Sequence, residues 1–181
     1  MLSNTVRTST IFRRFTLVAL AVVATLGLTA TSAWALNPRT YAQLKNANSH
    51  QYCMDMKAED PAEGARAQLW NCTGASAQKF ILVGASGPVP GLETIRSRSA
   101  GKCLAVAGTT AGSGVIQHSC YSGPVPNPGG SFTQAENWAL LSTGEMVNQL
   151  TGMCLDTTAD RKGAPLRVWP CNGTIAQRWF F

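Results

Sequence analysis

The chain has 181 residues, which favours one compact domain, and it carries a formal net charge of +6 at pH 7. Three of its 15 Lys and Arg residues lie in the first 35 positions, so residues 36–181 hold 12 basic against 9 acidic side chains, a net charge of +3. Because no Lys or Arg cluster remains there to follow a phosphate backbone, the composition argues against nucleic acid as a partner. Charged residues are sparse, at 13%, and Gly and Pro are frequent, which favours a turn-rich, all-β domain.

The first 35 residues have the pattern of a secretory signal peptide. Arg7, Arg13 and Arg14 precede an uncharged apolar run, which ends in the small-residue pattern Ala33-Trp34-Ala35. The run is short for a membrane span, and no second hydrophobic segment follows it. We therefore predict a secreted, extracellular protein with no stable membrane span once residues 1–35 are cleaved. An uncleaved N-terminal anchor is the alternative.

Six cysteines follow this segment, in three pairs that recur at intervals of 50 and 51 residues. An even number of cysteines behind a signal peptide predicts disulfide bonds in an oxidising compartment. Zinc is the competing interpretation, but the chain has no C-x-x-C pair and no histidine beside a cysteine. Six cysteines allow fifteen pairings. The simplest pairing that respects the repeat is Cys53–Cys72, Cys103–Cys120 and Cys154–Cys171.

Each cysteine pair belongs to a unit of about 50 residues: repeat one (about 40–88), repeat two (about 89–141) and repeat three (about 142–181). The first cysteine opens "CMDMKA", "CLAVAG" or "CLDTTA", and short apolar runs such as "FILV", "WALL" and "LRVW" have strand length. Repeat two also contains a Pro- and Gly-rich insert, "YSGPVPNPGGSFT", which predicts a surface loop. Three such units predict a closed, all-β architecture with threefold symmetry.

Variants of the phrases C-L-D, Q-L-W-x-C and Q-x-W recur through the three repeats, with the paired cysteines between them. In this the chain resembles the ricin B-type lectin domain, from about Thr40 to Phe181. The resemblance implies a β-trefoil, in which three hairpins cap a six-stranded barrel and each repeat can form one sugar pocket. It also implies that the closing aromatics, Phe80, Trp138 and Trp179, belong to the core.

In that family the sugar pocket uses the Asp of C-x-D, the Gln of Q-x-W-x-C and the aromatic two residues before the second cysteine. A carboxylate can accept two hydroxyl hydrogen bonds, and an aromatic ring can stack on the C–H face of a sugar. With the Gln of Q-x-W as support, the resemblance implies eight carbohydrate-binding residues. They are Asp55, Gln68, Trp70 and Gln78 in repeat one, and Asp156, Arg167, Trp169 and Gln177 in repeat three.

The repeats depart from the family pattern to different degrees. Ala77 and Ala176 replace an Asn that usually adds a contact in the first and third pockets. Arg167 replaces the amide of repeat three, where it could donate to a sugar hydroxyl or could pair with Asp156 and fill the pocket itself. Repeat two keeps none of the pocket residues, so we predict that it binds no sugar; it has Ala105, Ile116, His118 and Glu136 at these positions.

Structural roles are the alternative for each candidate. The two pocket tryptophans could be core residues beside the disulfides, and the two aspartates could be turn residues that accept backbone N–H bonds. We expect Gln78 and Gln177 to be structural hydrogen-bonding residues rather than direct ligands.

The sequence predicts a secreted, non-catalytic lectin that binds glycans or polysaccharides without a metal or cofactor. The acidic run Glu59, Asp60 and Glu63 could supply a glycosidase carboxylate pair, but its Pro- and Gly-containing surroundings favour a solvated turn. Neither histidine lies in a nucleophile motif, and disulfides use every cysteine. The alternative function is a protein-interaction or toxin-accessory trefoil that has lost sugar binding and acts with a secreted protein partner.

Overall fold

The computed structural model describes residues 40–48, 51–84, 91–121 and 135–181. The predicted signal peptide (1–35) and residues 122–133 of the predicted insert lie outside them. Within the described ranges, no helix is both long and apolar enough to cross a membrane.

Short antiparallel strands account for the regular structure of all three repeats. In repeat one they are β1 (Ala42–Gln43), β2 (Lys45–Asn46), β3 (Tyr52–Met56), β4 (Ala67–Asn71) and β5 (Lys79–Gly84). In repeat two they are β6 (Leu92–Ser97), β7 (Cys103–Val106), β8 (Val115–His118) and β9 (Asn137–Leu140). In repeat three they are β10 (Met146–Asn148), β11 (Cys154–Thr157), β12 (Leu166–Trp169) and β13 (Trp179–Phe180). Three 3-10 turns accompany them: Lys57–Glu59, Ser76–Gln78 and Ile175–Gln177.

The outer strands of each repeat form a barrel. Strand β5 pairs with β1 and β6, and β9 pairs with β6 and β10. Strand β13 pairs with β2, and a bridge between Glu145 and Arg178 connects the β10 side to the β13 side. The ladder of strands therefore returns to its start, which leaves no long open sheet edge.

The inner strands of each repeat form a hairpin, and the three hairpins β3–β4, β7–β8 and β11–β12 meet at one end of the barrel. Equivalent bridges join them in a cycle: Arg66 to Ile116, Gly114 to Arg167, and Pro165 to Gln68. A turn glycine in each hairpin also donates to the next repeat: Gly64 to Gln117 O at 2.9 Å, Gly112 to Val168 O at 2.8 Å, and Gly163 to Leu69 O at 2.7 Å. This arrangement confirms the predicted β-trefoil and its threefold symmetry.

One disulfide lies within each repeat, in the predicted pairing of Cys53–Cys72, Cys103–Cys120 and Cys154–Cys171. Each bridge connects the first strand of a hairpin to the end of its second strand. Closing loops of 17 to 19 residues contributes about 3 kcal/mol each in the chain-entropy model.

The closing aromatics of the repeats form the centre of the core, as predicted. Phe80, Trp138 and Trp179 are fully buried, and burial of such a side chain stabilises the fold by roughly 2–3 kcal/mol. The two indole N–H groups make the same bond in their repeats, to Leu104 O and to Leu155 O, each at 3.0 Å. The buried N–H groups are thereby satisfied, as burial in an apolar core requires.

Candidate functional site

Three of the predicted site residues of repeat one lie on one face of the β3–β4 hairpin. The strand register pairs Asp55 with Gln68 and Cys53 with Trp70. Because side chains alternate along a strand, Gln68 and Trp70 point to the same side. Gln68 Nε2 donates a hydrogen bond to Asp55 Oδ1 at 3.0 Å. The hairpin therefore brings a carboxylate, an amide and an indole ring together.

Gln78 holds the carboxylate of repeat one from inside the protein. Its side chain is fully buried, and Nε2 donates to Asp55 Oδ2 at 3.2 Å and to Asn71 O at 2.7 Å. Its Oε1 accepts the backbone N–H groups of Thr73 at 2.7 Å and Gly74 at 3.2 Å. Gln78 therefore fixes the position of Asp55 and of the chain after the disulfide.

A cavity of about 420 Å³ opens in front of this cluster, within the range of roughly 300–1,000 Å³ that is typical of small-molecule sites. Asp55 exposes only 7% of its surface, whereas Trp70 is half-buried. The cavity therefore offers a recessed carboxylate at its base and a partly open ring at its side. Its lining residues are Asp55, Lys57, Ala58, Glu59, Gln68, Trp70, Thr73, Ala75 and Ala77.

The rim of this cavity contains residues that the family pattern did not indicate. Lys57, Ala58 and Glu59 form a 3-10 turn, and Ala58 and Glu59 have φ of 59° and 52°, in the left-handed region. That conformation costs roughly 1–2 kcal/mol for a residue with a Cβ. The sequence does contain a signal for this turn, because the cysteines are 19 residues apart in repeat one and 17 in each of the others.

The environment of Asp55 disfavours its ionised form. Burial raises the pKa of this carboxyl above its usual range, although the hydrogen bonds from Gln68 and Gln78 partly offset the effect. The negative charge of Glu59 on the rim raises the pKa a little further.

Repeat three contains the same framework with a different side chain at its centre. The strand register pairs Asp156 with Arg167 and Cys154 with Trp169, and Gln177 Nε2 donates to Asp156 Oδ2 at 3.1 Å and to Pro170 O at 3.0 Å. Arg167 Nε donates to Asp156 Oδ1 at 2.8 Å, and its Cζ lies 4.1 Å from the centroid of the Trp169 ring. Of the two arrangements that the sequence left open for Arg167, the structure has the one in which it pairs with Asp156.

Repeat two has neither the carboxylate nor the indole. Ala105 pairs with Ile116, and Cys103 pairs with His118. Glu136 takes the place of the supporting Gln, is 3% exposed, and accepts the Tyr121 N–H at 3.0 Å. Burial raises the pKa of Glu136, and the Tyr121 N–H opposes this shift. The carboxylate of Glu136 therefore accepts a backbone hydrogen bond inside the fold.

The two pocket aspartates are not turn residues, and the two pocket tryptophans are not fully buried. Asp55 and Asp156 lie within strands β3 and β11 rather than in turns, and they accept hydrogen bonds from side chains. Trp70 and Trp169 are half-buried, in contrast to the fully buried core aromatics.

The hairpin of the preceding repeat in the cycle lies beside each pocket tryptophan. A Cβ at Gly163 would lie 3.9 Å from Trp70, and one at Gly112 would lie 3.8 Å from Trp169. Lys162 Nζ lies 4.1 Å from the centroid of the Trp70 ring, but Lys162 does not line the cavity. Both rings thus have a cation at 4.1 Å, but in repeat one Trp70 lines the cavity, whereas in repeat three the cation over Trp169 is the same Arg167 that bonds to Asp156.

Two carboxylates of the acidic run make local contacts, whereas Glu59 lines the cavity. Asp60 Oδ1 accepts the Ala62 N–H at 2.8 Å, as in a turn, and Glu63 Oε1 lies 2.8 Å from Lys102 Nζ. The hydrogen bonds from Lys102 and Ser119 lower the pKa of Glu63 to about 2. In the described part of the chain, no group of three or more His, Cys, Asp or Glu side chains is placed to hold a metal ion.

Residues 40–179 match the family model of the ricin-type beta-trefoil lectin domain. The human polypeptide N-acetylgalactosaminyltransferase 9 is 31% identical over 148 residues, which cover 79% of this chain and 22% of the transferase. The chain thus spans about a fifth of the length of this curated relative.

Solved structures with the same fold include a designed protein and a plant protein. The designed threefold-symmetric protein ThreeFoil has a TM-score of 0.65 and 26% identity, covering 77% of this chain and 96% of its own. A non-toxic homologue of type II RIPs from Momordica charantia, solved in complex with α-methyl-D-galactoside, has a TM-score of 0.62 and 22% identity. That match covers 79% of this chain and 48% of the plant chain.

Proposed function

This chain belongs to the ricin-type beta-trefoil lectin domain family, a family of sugar-binding modules, and from that premise we propose that it binds carbohydrate through the cavity of repeat one. The observation that carries the proposal is the recessed Asp55 carboxylate, held by two amides, which opens into the same cavity as Trp70.

The chemistry of the cavity suits a neutral pyranose. Each oxygen of an ionised carboxylate has two acceptor positions, and the amides of Gln68 and Gln78 use one position on each oxygen of Asp55. One position on each oxygen is left for a sugar hydroxyl, so Asp55 can accept two vicinal hydroxyls. Trp70 then supplies a flat apolar surface for the C–H face of the ring.

Galactosides are the first ligands to test, because the bitter-gourd homologue was solved with α-methyl-D-galactoside. A single shallow pocket with two charge-assisted hydrogen bonds favours weak binding of a monosaccharide. We therefore expect detectable retention on a multivalent glycan, where rebinding raises the apparent affinity.

We further propose that the protein is secreted and binds sugar without transforming it. The signal-peptide pattern of residues 1–35 supports secretion. Binding without catalysis is what the family is generally known for, and the alignment with the transferase covers only 22% of that enzyme.

The test is a glycan array followed by titration of the best neutral sugar, with Asp55→Ala as the principal variant. We expect the substitution to lower affinity by about 100-fold or more, because two charge-assisted hydrogen bonds of roughly 1.5–3 kcal/mol each are lost. Asp160→Ala removes an exposed carboxylate from repeat three and serves as the control that leaves binding unchanged. Repeat two has Ala at the equivalent position, but Asp55→Ala removes the acceptor of the buried Gln68 and Gln78 amides, so circular dichroism checks that the variant is folded. Unchanged affinity in folded Asp55→Ala would refute the proposed site.

The second candidate function is recognition of a secreted protein partner. It is favoured by Ala105, which removes the carboxylate from repeat two, and by Arg167, which occupies the third pocket. If no neutral sugar binds on the array and a stoichiometric partner co-purifies without being displaced by sugar, this function replaces the first.

A further inference from the structure

The third pocket is occupied by its own arginine, and this changes what it can bind. Both oxygens of Asp156 already accept a hydrogen bond, one from Arg167 and one from Gln177. The guanidinium also lies over Trp169, where the C–H face of a sugar would otherwise stack. Asp156 accepts one bond on each oxygen, as Asp55 does in repeat one, so the obstacle to a neutral pyranose in repeat three is the guanidinium that lies over the Trp169 ring.

The guanidinium keeps its outer edge available. Arg167 uses Nε for Asp156 at 2.8 Å, and its side chain is 28% exposed. Among the described residues, neither of its two Nη groups donates a hydrogen bond to the protein. These two groups form a planar pair of donors whose spacing matches the two oxygens of a carboxylate or of a sulfate.

A second arginine extends toward the same place from repeat one. Arg66 Nη1 would lie 3.5 Å from a Cβ at Gly114, and Gly114 is the bridge partner of Arg167. Side chains of bridge partners lie on the same face, with their Cβ atoms about 4.5–5.5 Å apart. Arg66 therefore brings a cationic group close to the base of the Arg167 side chain. Because Asp156 compensates the charge of Arg167, Arg66 supplies the surplus positive charge at this position.

We propose that repeat three binds an anionic group carried by a saccharide, either the carboxylate of a uronic acid or a sulfate ester, through the Nη edge of Arg167. Asp156 fixes Nε and Trp169 supports the guanidinium plane, so the donors are oriented before the ligand arrives. Such preorganisation reduces the entropy cost of binding. Arg66 adds positive charge near the base of the Arg167 side chain.

This inference rests on the proposed carbohydrate binding of the domain but uses another repeat, so the two can fail separately. Titration calorimetry would use three probes: an oligogalacturonate, a sulfated galactan oligosaccharide and a neutral galactan oligosaccharide of equal length. The variants are Arg167→Gln and Arg167→Lys, with Arg161→Gln as the matched control. Arg161 is an exposed cation of the same hairpin, so its substitution removes the same charge outside the pocket.

We expect one or both acidic probes to bind the wild type, and Arg167→Gln to lower that affinity by about tenfold or more, as loss of a bidentate contact of about 1.5–3 kcal/mol predicts. Arg167→Lys keeps the charge without the fork and should lose most of the affinity, whereas Arg161→Gln should change it less than about twofold. Binding by only one acidic probe identifies the anion. Thermal melting of each variant checks that the fold is intact.

Two results would overturn the inference. Equal losses in Arg167→Gln and Arg161→Gln would show that general charge attraction, not the pocket, retains acidic sugars. Binding of the neutral probe alone would reject the anionic site and leave the site of repeat one intact. Binding of the acidic probes alone would support the third site and count against the proposed function of the first.

Discussion

The pockets of repeats one and three are built on the same hairpin and use the same supporting Gln. In both, a buried aspartate on the first strand accepts a bond from the Gln of Q-x-W, and a half-buried tryptophan follows on the second strand. They differ at the residue opposite the aspartate, which is Gln68 in one repeat and Arg167 in the other.

That single position decides which surface each pocket presents. A glutamine donates one bond to the aspartate, and the tryptophan on the same strand lines the cavity. An arginine is longer and planar, so it can bond to the carboxylate and stack on the ring at the same time. The fold therefore sets where a pocket forms, whereas one side chain on β4 or β12 sets whether it presents an acceptor or a cationic donor.

Placing an arginine at position 68, as repeat three has at position 167, should have the largest effect on neutral-sugar affinity. In Gln68→Arg we expect the new guanidinium to pair with Asp55 and to cover Trp70, as Arg167 does in repeat three. Affinity for the neutral sugar should fall by about 100-fold or more, because the carboxylate contacts and the stacking surface are lost together. Titration of the sugar that the array identifies measures this.

Gln68→Met is the matched control for Gln68→Arg. It removes the same amide without adding a charge or a group that can cover the ring, so we expect a loss of only about fivefold, or about 1 kcal/mol. If methionine and arginine weaken binding equally, occlusion by the guanidinium is not what distinguishes the two pockets.

Truncation of the two pocket tryptophans should change neutral-sugar affinity unequally, and the larger change is smaller than that expected for Gln68→Arg. Trp70→Ala removes the stacking surface beside the cavity and should weaken neutral-sugar binding by about tenfold, or about 1.5 kcal/mol. Trp169→Ala makes the same change under Arg167 and should leave that affinity unchanged. A similar loss in both variants would mean that the two repeats share the neutral ligand.

The architecture could be predicted from the sequence because its signals are repeated and covalent. Three cysteine pairs at a fixed interval indicated both the symmetry and the pairing that the structure has. The resemblance to the ricin B-type lectin domain, which rests on those repeated positions, implied the burial of Phe80, Trp138 and Trp179 that the structure has. These features depend on register along the chain, which a sequence shows directly.

The details of the pockets could not be predicted in the same way, because they depend on three-dimensional direction. The sequence identified Arg167 as unusual, but it did not decide between a free donor and an ion pair with Asp156. Nor did it indicate that a lysine from repeat three lies against Trp70. The only sequence signal for the Lys57–Glu59 turn was that Cys53 and Cys72 are two residues further apart than the cysteines of the other two pairs.

The rim residue Glu59 gives the prediction with the smallest expected effect, a change in the pH dependence of sugar binding in repeat one. Asp55 accepts sugar hydroxyls as a carboxylate, and its pKa is raised by burial and, more weakly, by Glu59. Neutral-sugar binding is therefore complete at pH values above the raised pKa of Asp55. It is lost as the pH falls through that pKa, and this loss occurs at a higher pH than it would for an ordinary aspartate. The contribution of Asp55 to folding stability depends on pH in the opposite sense. Because the pKa is raised in the native state, this contribution is present at low pH and is lost as the pH rises.

Glu59→Gln removes one negative charge near Asp55 and lowers the pKa of that carboxyl. We expect neutral-sugar binding to persist to lower pH than in the wild type, because less of Asp55 is protonated at each acidic pH. The shift is small because Glu59 is the weakest of the causes that raise this pKa. Affinity measured from neutral to acidic pH, with Asp160→Asn as the control, tests it. If the wild type, Glu59→Gln and Asp160→Asn have the same pH profile, the rim does not act on the Asp55 carboxylate. The difference between the two pockets would then rest on Gln68 and Arg167 alone.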